Sequence, residues 1–393
     1  MLYRLYAIKK ISPIPILSQN QKLFFSKSFT SSSKHRHRFY IYSVVAVTST
    51  AVLGTFYYRF NRNKFDYNRR EYVKNLEVIE YNLLERRPIL DSSNIKHITF
   101  DQPSRKTFPY KLTVYESIQC PYCSKLRAYL NYNRLPYNII KVRTEDIQWS
   151  LYKQVPIVIL ENGEQIQLND STQIISAIES YFLTPTKSFR HIWKLYQPLV
   201  ENNKKQYKLI YSYPNKYHLI QPLSSDIIDQ QNRQIDDDLL LSSKSRKTER
   251  QWREWVDAKL IPLFSSNVYL TLRESLDRFY LYAEADNWMK TYPWYKRFVK
   301  INFGAIYMWL INFKLSTDVR KELIDCINEW LTAIGNDQNF LGGQNPNLAD
   351  ISVYGALTSI QDSNTFTYLI KNTNIESWFE RMKQIIDLRV NSS

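Results

Sequence analysis

The spacing of apolar residues predicts an α/β domain in the middle of the chain. The segment Lys111–Glu116 alternates apolar and polar positions and is rich in β-formers, as in a strand with one buried face. Helical spacing follows over 122–130, and further strands are predicted at 138–142 and 155–160. A short strand and a helix with apolar positions at 174, 175, 178 and 181 come next. We therefore predict β-α-β, an irregular segment, and then β-β-α over residues 109–185.

Residues 186–393 change to helical spacing rich in Trp and Tyr, which predicts an all-helical second domain. Cys326 belongs to one apolar stripe together with Trp330, so we interpret it as a small buried side chain and not as a catalytic thiol. Asn347 and Asp350 have the spacing of a capping box ahead of an apolar run. We assign this pair to folding.

The amino-terminal third divides into three segments by composition. Residues 1–38 are basic, contain no Asp or Glu, and predict a presequence-like tail, with a plain disordered tail as the alternative. Residues 39–58 carry no charge and have aromatic residues at both ends, which predicts a single membrane-spanning helix, with a buried soluble helix as the alternative. Residues 59–108 are interpreted as a stalk with one helical section. We expect a single-pass protein of a Golgi or mitochondrial membrane.

The formal charge of +16 raises the question of nucleic-acid binding. Most of the excess lies in the basic amino-terminal extension, and no nucleic-acid-binding motif accompanies it, so we expect no nucleic-acid partner. Only three cysteines are present, two of them in one C-x-x-C motif, and this excludes a secreted disulfide framework. We expect the thiol region to face a reducing compartment.

The candidate chemistry lies at the first strand-to-helix turn, where the chain reads Cys120-Pro121-Tyr122-Cys123. Free backbone N–H groups and the dipole at a helix amino terminus stabilise a thiolate. Cys120 is therefore predicted to be the nucleophile with a lowered pKa. Cys123 could resolve a mixed disulfide, and two neighbouring cations, Lys125 and Arg127, are expected to add positive potential.

The cysteine pair has three other interpretations: a zinc site, a cysteine protease and a purely structural pair. A zinc site would need a second ligand pair, but none is present and the five histidines lack ligand spacing, so no metal is expected. No His has the motif of a cysteine-protease base. A purely structural role for the pair stays open.

Two downstream segments complete the candidate site. Val155-Pro156 precedes a predicted strand, and Asp170-Ser171 precedes a predicted helix. Asp170 or Ser171 is a natural N-cap, and free N–H groups at that end with a Ser hydroxyl could also receive a carboxylate such as the γ-glutamyl group of glutathione. Capping alone is the plainer alternative, and both roles are compatible.

The order of the two domains resembles the glutathione transferase architecture: a thioredoxin-like α/β domain followed by an all-α carboxy-terminal domain. In detail the chain is similar to the membrane-associated type-two prostaglandin E synthases, and the matching motifs lie at 120–130, 155–157, 167–177, 266–269 and 342–350. The resemblance implies that Cys120 is the essential thiol with Tyr122 and Cys123 beside it. It also implies that Val155, a cis-proline at Pro156, Asp170 and Ser171 hold glutathione.

The same resemblance implies glutathione-dependent isomerisation of the prostaglandin endoperoxide, prostaglandin H2, to prostaglandin E2. It further implies a haem–glutathione form that degrades the endoperoxide, and a possible homodimer. One position departs from the family, because Ser117 stands where a Tyr is usual. The sequence identifies no catalytic base. A glutaredoxin-like thiol–disulfide oxidoreductase and a non-catalytic haem–glutathione-binding membrane protein are the alternatives.

Overall fold

The computed structural model describes residues 87, 95–117, 120–143, 146–184, 188–197, 199–203, 208–213, 215–220, 244–313, 318–386 and 390–392. All of them lie in one compact unit, Asn75–Ser393. The predicted basic tail (1–38), the predicted membrane-spanning helix (39–58) and most of the predicted stalk fall outside the described residues. Within the described part of the chain, no helix has both the length and the apolar character needed to cross a membrane.

The secondary structure alternates strands and helices first and is mainly helical afterwards. The strands are β1 (Ile95–Phe100), β2 (Lys111–Glu116), β3 (Tyr137–Lys141), β4 (Ile157–Asn162), β5 (Glu164–Asn169), β6 (Leu199–Asn203), β7 (Lys208–Ser212) and β8 (Val390–Ser392). The α-helices are α1 (Pro121–Asn133), α2 (Ser171–Leu183), α3 (Phe189–Lys194), α4 (Lys244–Trp255), α5 (Ile261–Val268), α6 (Leu272–Ala285), α7 (Trp288–Thr291), α8 (Trp294–Phe313), α9 (Val319–Ile334), α10 (Leu348–Thr358), α11 (Asn364–Asn372) and α12 (Ile375–Ile386). A π-helical turn, Val256–Leu260, joins α4 to α5.

The main sheet has the strand order β5-β4-β2-β3-β1-β8. Strands β2 and β3 are parallel and connected by α1, whereas β4 is antiparallel to both β2 and β5. Alternate residues of β2 point to opposite faces, so Val114 packs with the helices and Tyr115 packs with Trp149 and Ile159 on the other face. This is the predicted thioredoxin-type α/β arrangement, and the carboxy-terminal part is mostly helical, as expected.

The sheet is wider than the sequence pattern predicted. The sequence predicts a stalk over 59–108, but Ile95–Phe100 forms strand β1, antiparallel to β3, and Val390–Ser392 pairs with the outer side of β1. The stalk prediction is wrong for this segment. Only Ile98 is fully buried in β1, so the sequence of this strand shows little apolar alternation. The two-stranded sheet of β6 and β7 was also missed inside the helical half.

The predicted aromatic stripes of the carboxy-terminal half form its core. The ring of Trp330 lies 5.2 Å from that of Trp252 and 5.6 Å from that of Trp378, both edge to face. Cys326 is fully buried, and burial raises the pKa of its thiol to about 12. Its interpretation as a small apolar core residue is confirmed.

Helix α10 packs against the helix that carries the cysteines. Gly355 makes this contact possible, since a Cβ added there would lie 2.5 Å from the Cα of Lys125. The predicted capping box at the start of α10 is present: Asn347 accepts hydrogen bonds from the backbone N–H groups of Ala349 and Asp350, and Asp350 accepts one from the N–H of Asn347. Asp350 also accepts from two backbone N–H groups of the preceding loop. Its assignment to folding is confirmed.

Candidate thiol site

Cys120 occupies the N-cap position of α1, and Pro121 takes the first helical position. Proline suits that place because its fixed φ matches the helix and its missing N–H would have had no partner inside the helix. The side chain of Cys120 is partly exposed, whereas Cys123 is completely buried one turn further along. Solvent and ligands therefore reach the first sulfur and not the second.

The two thiols have opposite acidities. A hydrogen bond from Cys123 lowers the pKa of Cys120, burial works against this, and the backbone N–H groups of Cys123 and Tyr122 lower the pKa further. Burial, followed by the hydrogen bond and the charge of Cys120, raises the pKa of Cys123 well above its ordinary range. Cys123 thus keeps its proton and donates a hydrogen bond to the sulfur of Cys120, which favours the thiolate form of Cys120.

The segment before β4 lies next to this sulfur. The Val155–Pro156 peptide bond is cis, as the resemblance predicted, and Pro156 is buried. The Sγ of Cys120 lies 3.9 Å from the carbonyl oxygen of Val155. An extended thiol peptide placed beside Val155 would have its sulfur close to Cys120.

The amino terminus of α2 is the second segment of the site, after the Val155–Pro156 segment. Asp170 is the N-cap with a positive φ of 68°, and its Oδ1 accepts from the backbone N–H groups of Thr172 at 2.9 Å and Gln173 at 3.3 Å. The hydroxyl of Ser171 is buried and has no hydrogen-bond partner among the described residues. A buried hydroxyl without a partner is costly, so it fits a site that a polar ligand completes.

Two residues that the sequence did not point to, Lys216 and Asp257, contact the start of α2. Lys216 donates to Asp170 Oδ2 at 2.7 Å, and its Nζ lies 3.8 Å from Asp257 Oδ2. Asp257, on the π-helical turn, also accepts from the hydroxyls of Thr172 at 2.8 Å and Tyr217 at 3.0 Å. Burial raises the pKa of Asp257, but Lys125 and Lys216 lower it by more. The pKa of Asp257 therefore lies below its ordinary value.

The cations near the cysteines do not act as free positive charges. Lys125 is buried, and its Nζ lies 2.5 Å from Asp257 Oδ1 and 2.6 Å from Thr172 Oγ1. Arg127 pairs with Glu116 at 3.0 Å. The expected positive potential is therefore largely balanced by carboxylates, and the lowered pKa of Cys120 comes mainly from Cys123 and the helix backbone.

Two tyrosines lie close to the cysteines. Tyr122 is half-buried against the apolar core, and the ammonium of Lys125 lies 5.6 Å from its ring centre. Tyr152 follows the irregular segment, and burial, with contributions from Asp170 and Cys120, raises the pKa of its hydroxyl. Tyr152 was not among the predicted site residues, although its place just before Val155 in the sequence was a usable signal.

Comparisons with known proteins show the family of the chain. The domain family described as Glutathione S-transferase N-terminal domain matches residues 121–219. Prostaglandin E synthase 2 of Danio rerio is 36% identical over 285 residues, which cover 70% of this chain and 71% of the relative. Prostaglandin E synthase 2 of Mus musculus is 34% identical over 287 residues, with the same coverage of 70% and 71%. The chain belongs to the prostaglandin E synthase 2 family.

Among solved structures, the chain is similar to glutathione transferase F7 of Populus trichocarpa at 12% identity and a TM-score of 0.37, over 69% of this chain and 93% of that one. It is also similar to human glutathione transferase theta-2, solved with glutathione and an unknown ligand, at 11% identity and a TM-score of 0.38, over 70% and 82%. Both likenesses are weak, and membership of the prostaglandin E synthase 2 family does not depend on them.

The residues that the family resemblance singled out converge in this structure. The segments at 120–123 and 155–156 meet at the Cys120 sulfur, and Lys125 links α1 to Thr172, directly after the cap residues Asp170 and Ser171. Ser117, which replaces the usual family Tyr, accepts a backbone hydrogen bond from the N–H of Cys120 at 3.3 Å. The structure thus brings Cys120 and Val155 together and links α1 to the start of α2.

Proposed function

We propose that this protein isomerises prostaglandin H2 to prostaglandin E2 with glutathione bound beside Cys120. The observation that carries the proposal is the partly exposed Cys120 sulfur with a lowered pKa, next to the cis Val155–Pro156 bond, in a chain of the prostaglandin E synthase 2 family. Curated relatives with that name support the substrate class.

Glutathione fits the residues around the sulfur. Its cysteinyl unit would pair in β-fashion with the backbone of Val155. Its γ-glutamyl carboxylate would accept from the Ser171 hydroxyl, which has no partner among the described residues, and lie at the amino terminus of α2. Lys216, which pairs with Asp170, would offset the negative charge of the Asp170 carboxylate at the same place.

The reaction needs cleavage of a weak O–O bond and loss of a hydrogen from a neighbouring ring carbon. In its thiol form Cys120 protonates one oxygen, which becomes the hydroxyl, and its lowered pKa makes it a stronger proton donor than an ordinary cysteine. A base takes the proton from the carbon that bears the other oxygen, and the electron pair of that C–H bond forms the carbonyl as the O–O bond breaks. Atoms and electrons balance within the substrate, so no external oxidant or reductant is consumed.

A haem-bound form that degrades the endoperoxide is part of the same proposal. Of the histidines that the structure describes, His97 bonds Asn138, His218 contacts Arg250, and His191 is exposed on α3. These positions favour an iron ligand supplied by the glutathione thiolate over a ligand supplied by an imidazole of the described residues. Haem would supply one-electron chemistry toward the O–O bond.

A second candidate is a glutaredoxin-like oxidoreductase, which the hydrogen bond between Cys123 and Cys120 favours.

The test uses the full chain in mixed micelles with glutathione, with and without haem. Wild type should yield prostaglandin E2, Cys120→Ser should not, and Cys123→Ser should retain isomerisation. If no prostaglandin E2 forms while a mixed disulfide is reduced in a reaction that requires Cys123, the oxidoreductase replaces the isomerase. A glutathione-dependent Soret band without turnover of either substrate would favour a binding protein.

A further inference from the structure

A group of four charged side chains connects α1, the start of α2 and the π-helical turn. Lys125 and Asp257 are almost fully buried, with 1% and 5% of their side chains exposed. Lys216 and Asp170, in contrast, are 22% and 26% exposed. The formal charges of the two lysines and the two aspartates cancel. The pair of Lys216 and Asp170 is therefore the end of the group that a dissolved ligand can reach.

The ammonium group of Lys216 lies between two carboxylates. Its Nζ is 2.7 Å from Asp170 Oδ2, the distance of a charge-assisted hydrogen bond, and 3.8 Å from Asp257 Oδ2, too far for a hydrogen bond. A shift of about 1 Å would bring Nζ to hydrogen-bond distance from Asp257. The backbone of Lys216 is held in place, because its carbonyl accepts from Ser176 Oγ and its N–H donates to the carbonyl of Tyr213. Exchange between the two carboxylates therefore needs only a movement of the side chain.

Asp170 uses one carboxylate oxygen for folding and the other for a cation. Oδ1 accepts from the backbone N–H groups of Thr172 and Gln173, and Oδ2 binds the lysine. The φ of Asp170 is 68°, in the region that favours glycine, and strained backbone of this kind concentrates at functional sites. The next residue, Ser171, has a buried hydroxyl without a partner among the described residues. An acceptor for a cation and a donor for an anion are thus adjacent in the chain.

The head group of an α-amino acid matches these two neighbours. It carries an ammonium and a carboxylate on one carbon atom, so the ammonium can approach Asp170 Oδ2 while the carboxylate approaches Ser171 and the amino terminus of α2. The free end of the γ-glutamyl unit of glutathione is such a group. Lys216 holds the place on Asp170 Oδ2 that the ligand ammonium would take. A head group without the ammonium would add a negative charge and leave Lys216 paired with Asp170.

We propose that Lys216 sets the ligand specificity of the thiol site by changing its partner. The free ammonium of glutathione binds Asp170 Oδ2, and Lys216 moves to Asp257 Oδ2, so each carboxylate keeps a cation. This inference rests on the proposed glutathione site and adds a selection for thiols whose α-amino group is unblocked. Lys216 acts through Asp170, so it is a specificity-determining residue and not a catalytic one.

The test measures binding to the full chain in mixed micelles by isothermal titration calorimetry under reducing conditions. The two probes are glutathione and glutaryl-cysteinylglycine, which is glutathione without its α-amino group. Lys216→Gln should bind glutathione about threefold more tightly, because no lysine has to be displaced from Asp170. It should bind glutaryl-cysteinylglycine about threefold more weakly, because the Asp170 carboxylate then repels this probe.

Three further variants complete the test. Lys216→Arg keeps the charge, so its ratio of the two dissociation constants should stay closer to that of wild type than the ratio of Lys216→Gln does. In an Asp170→Asn background, Lys216→Gln should no longer change either affinity, since the shared carboxylate is gone. Lys321→Gln, at an exposed lysine of α9, should leave both affinities unchanged.

Three results would overturn the proposal. Weaker binding of both probes to Lys216→Gln would make Lys216 a direct partner of the ligand carboxylate. Unchanged binding of both probes, or an equal gain for both, would remove the dependence on the ammonium. In these two cases glutathione still binds wild type, and the proposed glutathione site stands without the exchange. If wild type does not bind glutathione, the proposed site fails and the exchange fails with it. Circular dichroism melting of each variant verifies that the fold is retained.

Discussion

Lys125 Nζ lies 2.5 Å from Asp257 Oδ1, and both side chains are almost fully buried. Removing one partner leaves an isolated charge in the core, which typically costs about 3–5 kcal/mol. We expect Lys125→Met and Asp257→Leu each to lower the free energy of unfolding by that order, and the double substitution to recover part of the loss. Urea unfolding monitored by Trp fluorescence measures all three. Additive losses in the double variant would contradict a coupled pair.

The same pair predicts acid sensitivity. The pKa of Asp257 is lower in the folded state than its ordinary value, because Lys125 and Lys216 outweigh the effect of burial. Its stabilising contribution is therefore present above the ordinary carboxyl pKa and is lost as the pH falls through the folded-state value. Wild type should lose stability in this window more steeply than Asp257→Leu.

The hydrogen bond from Cys123 is expected to set the reactivity of Cys120. Without the donor, the pKa of Cys120 should rise, so Cys123→Ala should shift the pH profile of iodoacetamide labelling at Cys120 to higher pH. Cys123→Ser retains a hydroxyl donor and should shift it less. Mass spectrometry of the labelled peptide separates Cys120 from Cys326. An unchanged profile for Cys123→Ala would assign the acidity to the helix backbone alone.

Ser171 and Thr172 are neighbours with different expected roles. The Ser171 hydroxyl has no partner among the described residues, so Ser171→Ala removes an unsatisfied buried group, should keep or raise the unfolding free energy, and should weaken glutathione binding about three- to tenfold. Thr172 bonds Lys125 and Asp257, so Thr172→Val should cost about 1–3 kcal/mol of stability. Calorimetric titration with glutathione and thermal melting test the pair. Equal effects of both variants on stability would count against a ligand role for Ser171.

The raised pKa of Glu116 predicts a second effect of pH on stability, opposite in sign to that of Asp257. Burial raises its pKa more than Arg127 lowers it, and one carboxylate oxygen has no hydrogen-bond partner within the described structure. A raised folded-state pKa gives stability that is present below the ordinary value and lost as the pH rises through the folded-state value. The stability of wild type relative to Glu116→Gln should therefore fall over that range. A constant difference from pH 4 upward would contradict this.

Local signals predicted the helix starts well. The N-cap position of Cys120, the capping by Asp170 and the box at Asn347 each depend on residues a few positions apart, and the structure has all three. The network around Asp257 escaped prediction because its partners are far apart in sequence: Lys125 is separated from it by 132 positions and Tyr217 by 40. Nothing in the polar character of these residues distinguishes a buried partner from a solvated side chain.

Strands β1 and β8 were not predicted, for a different reason. Strand β1 lies next to the edge strand β8 and has a single fully buried side chain, so its pattern resembles that of a polar connection. The extent of β8, only three residues, gives no periodicity to detect. In contrast, β4 is buried on both faces and was visible as a continuous apolar run.

The absence of a side chain at Gly355 has a mechanical consequence. With the backbones of α1 and α10 in such close contact, neither helix can slide along the other without driving a side chain into the position that only glycine accommodates. The two helices should therefore move as one body, and the Cys120 sulfur travels with the helical layer. Opening and closing of the space around the Cys120 sulfur would then come from the segment that ends at Val155. This segment would move toward or away from a sulfur that stays in place.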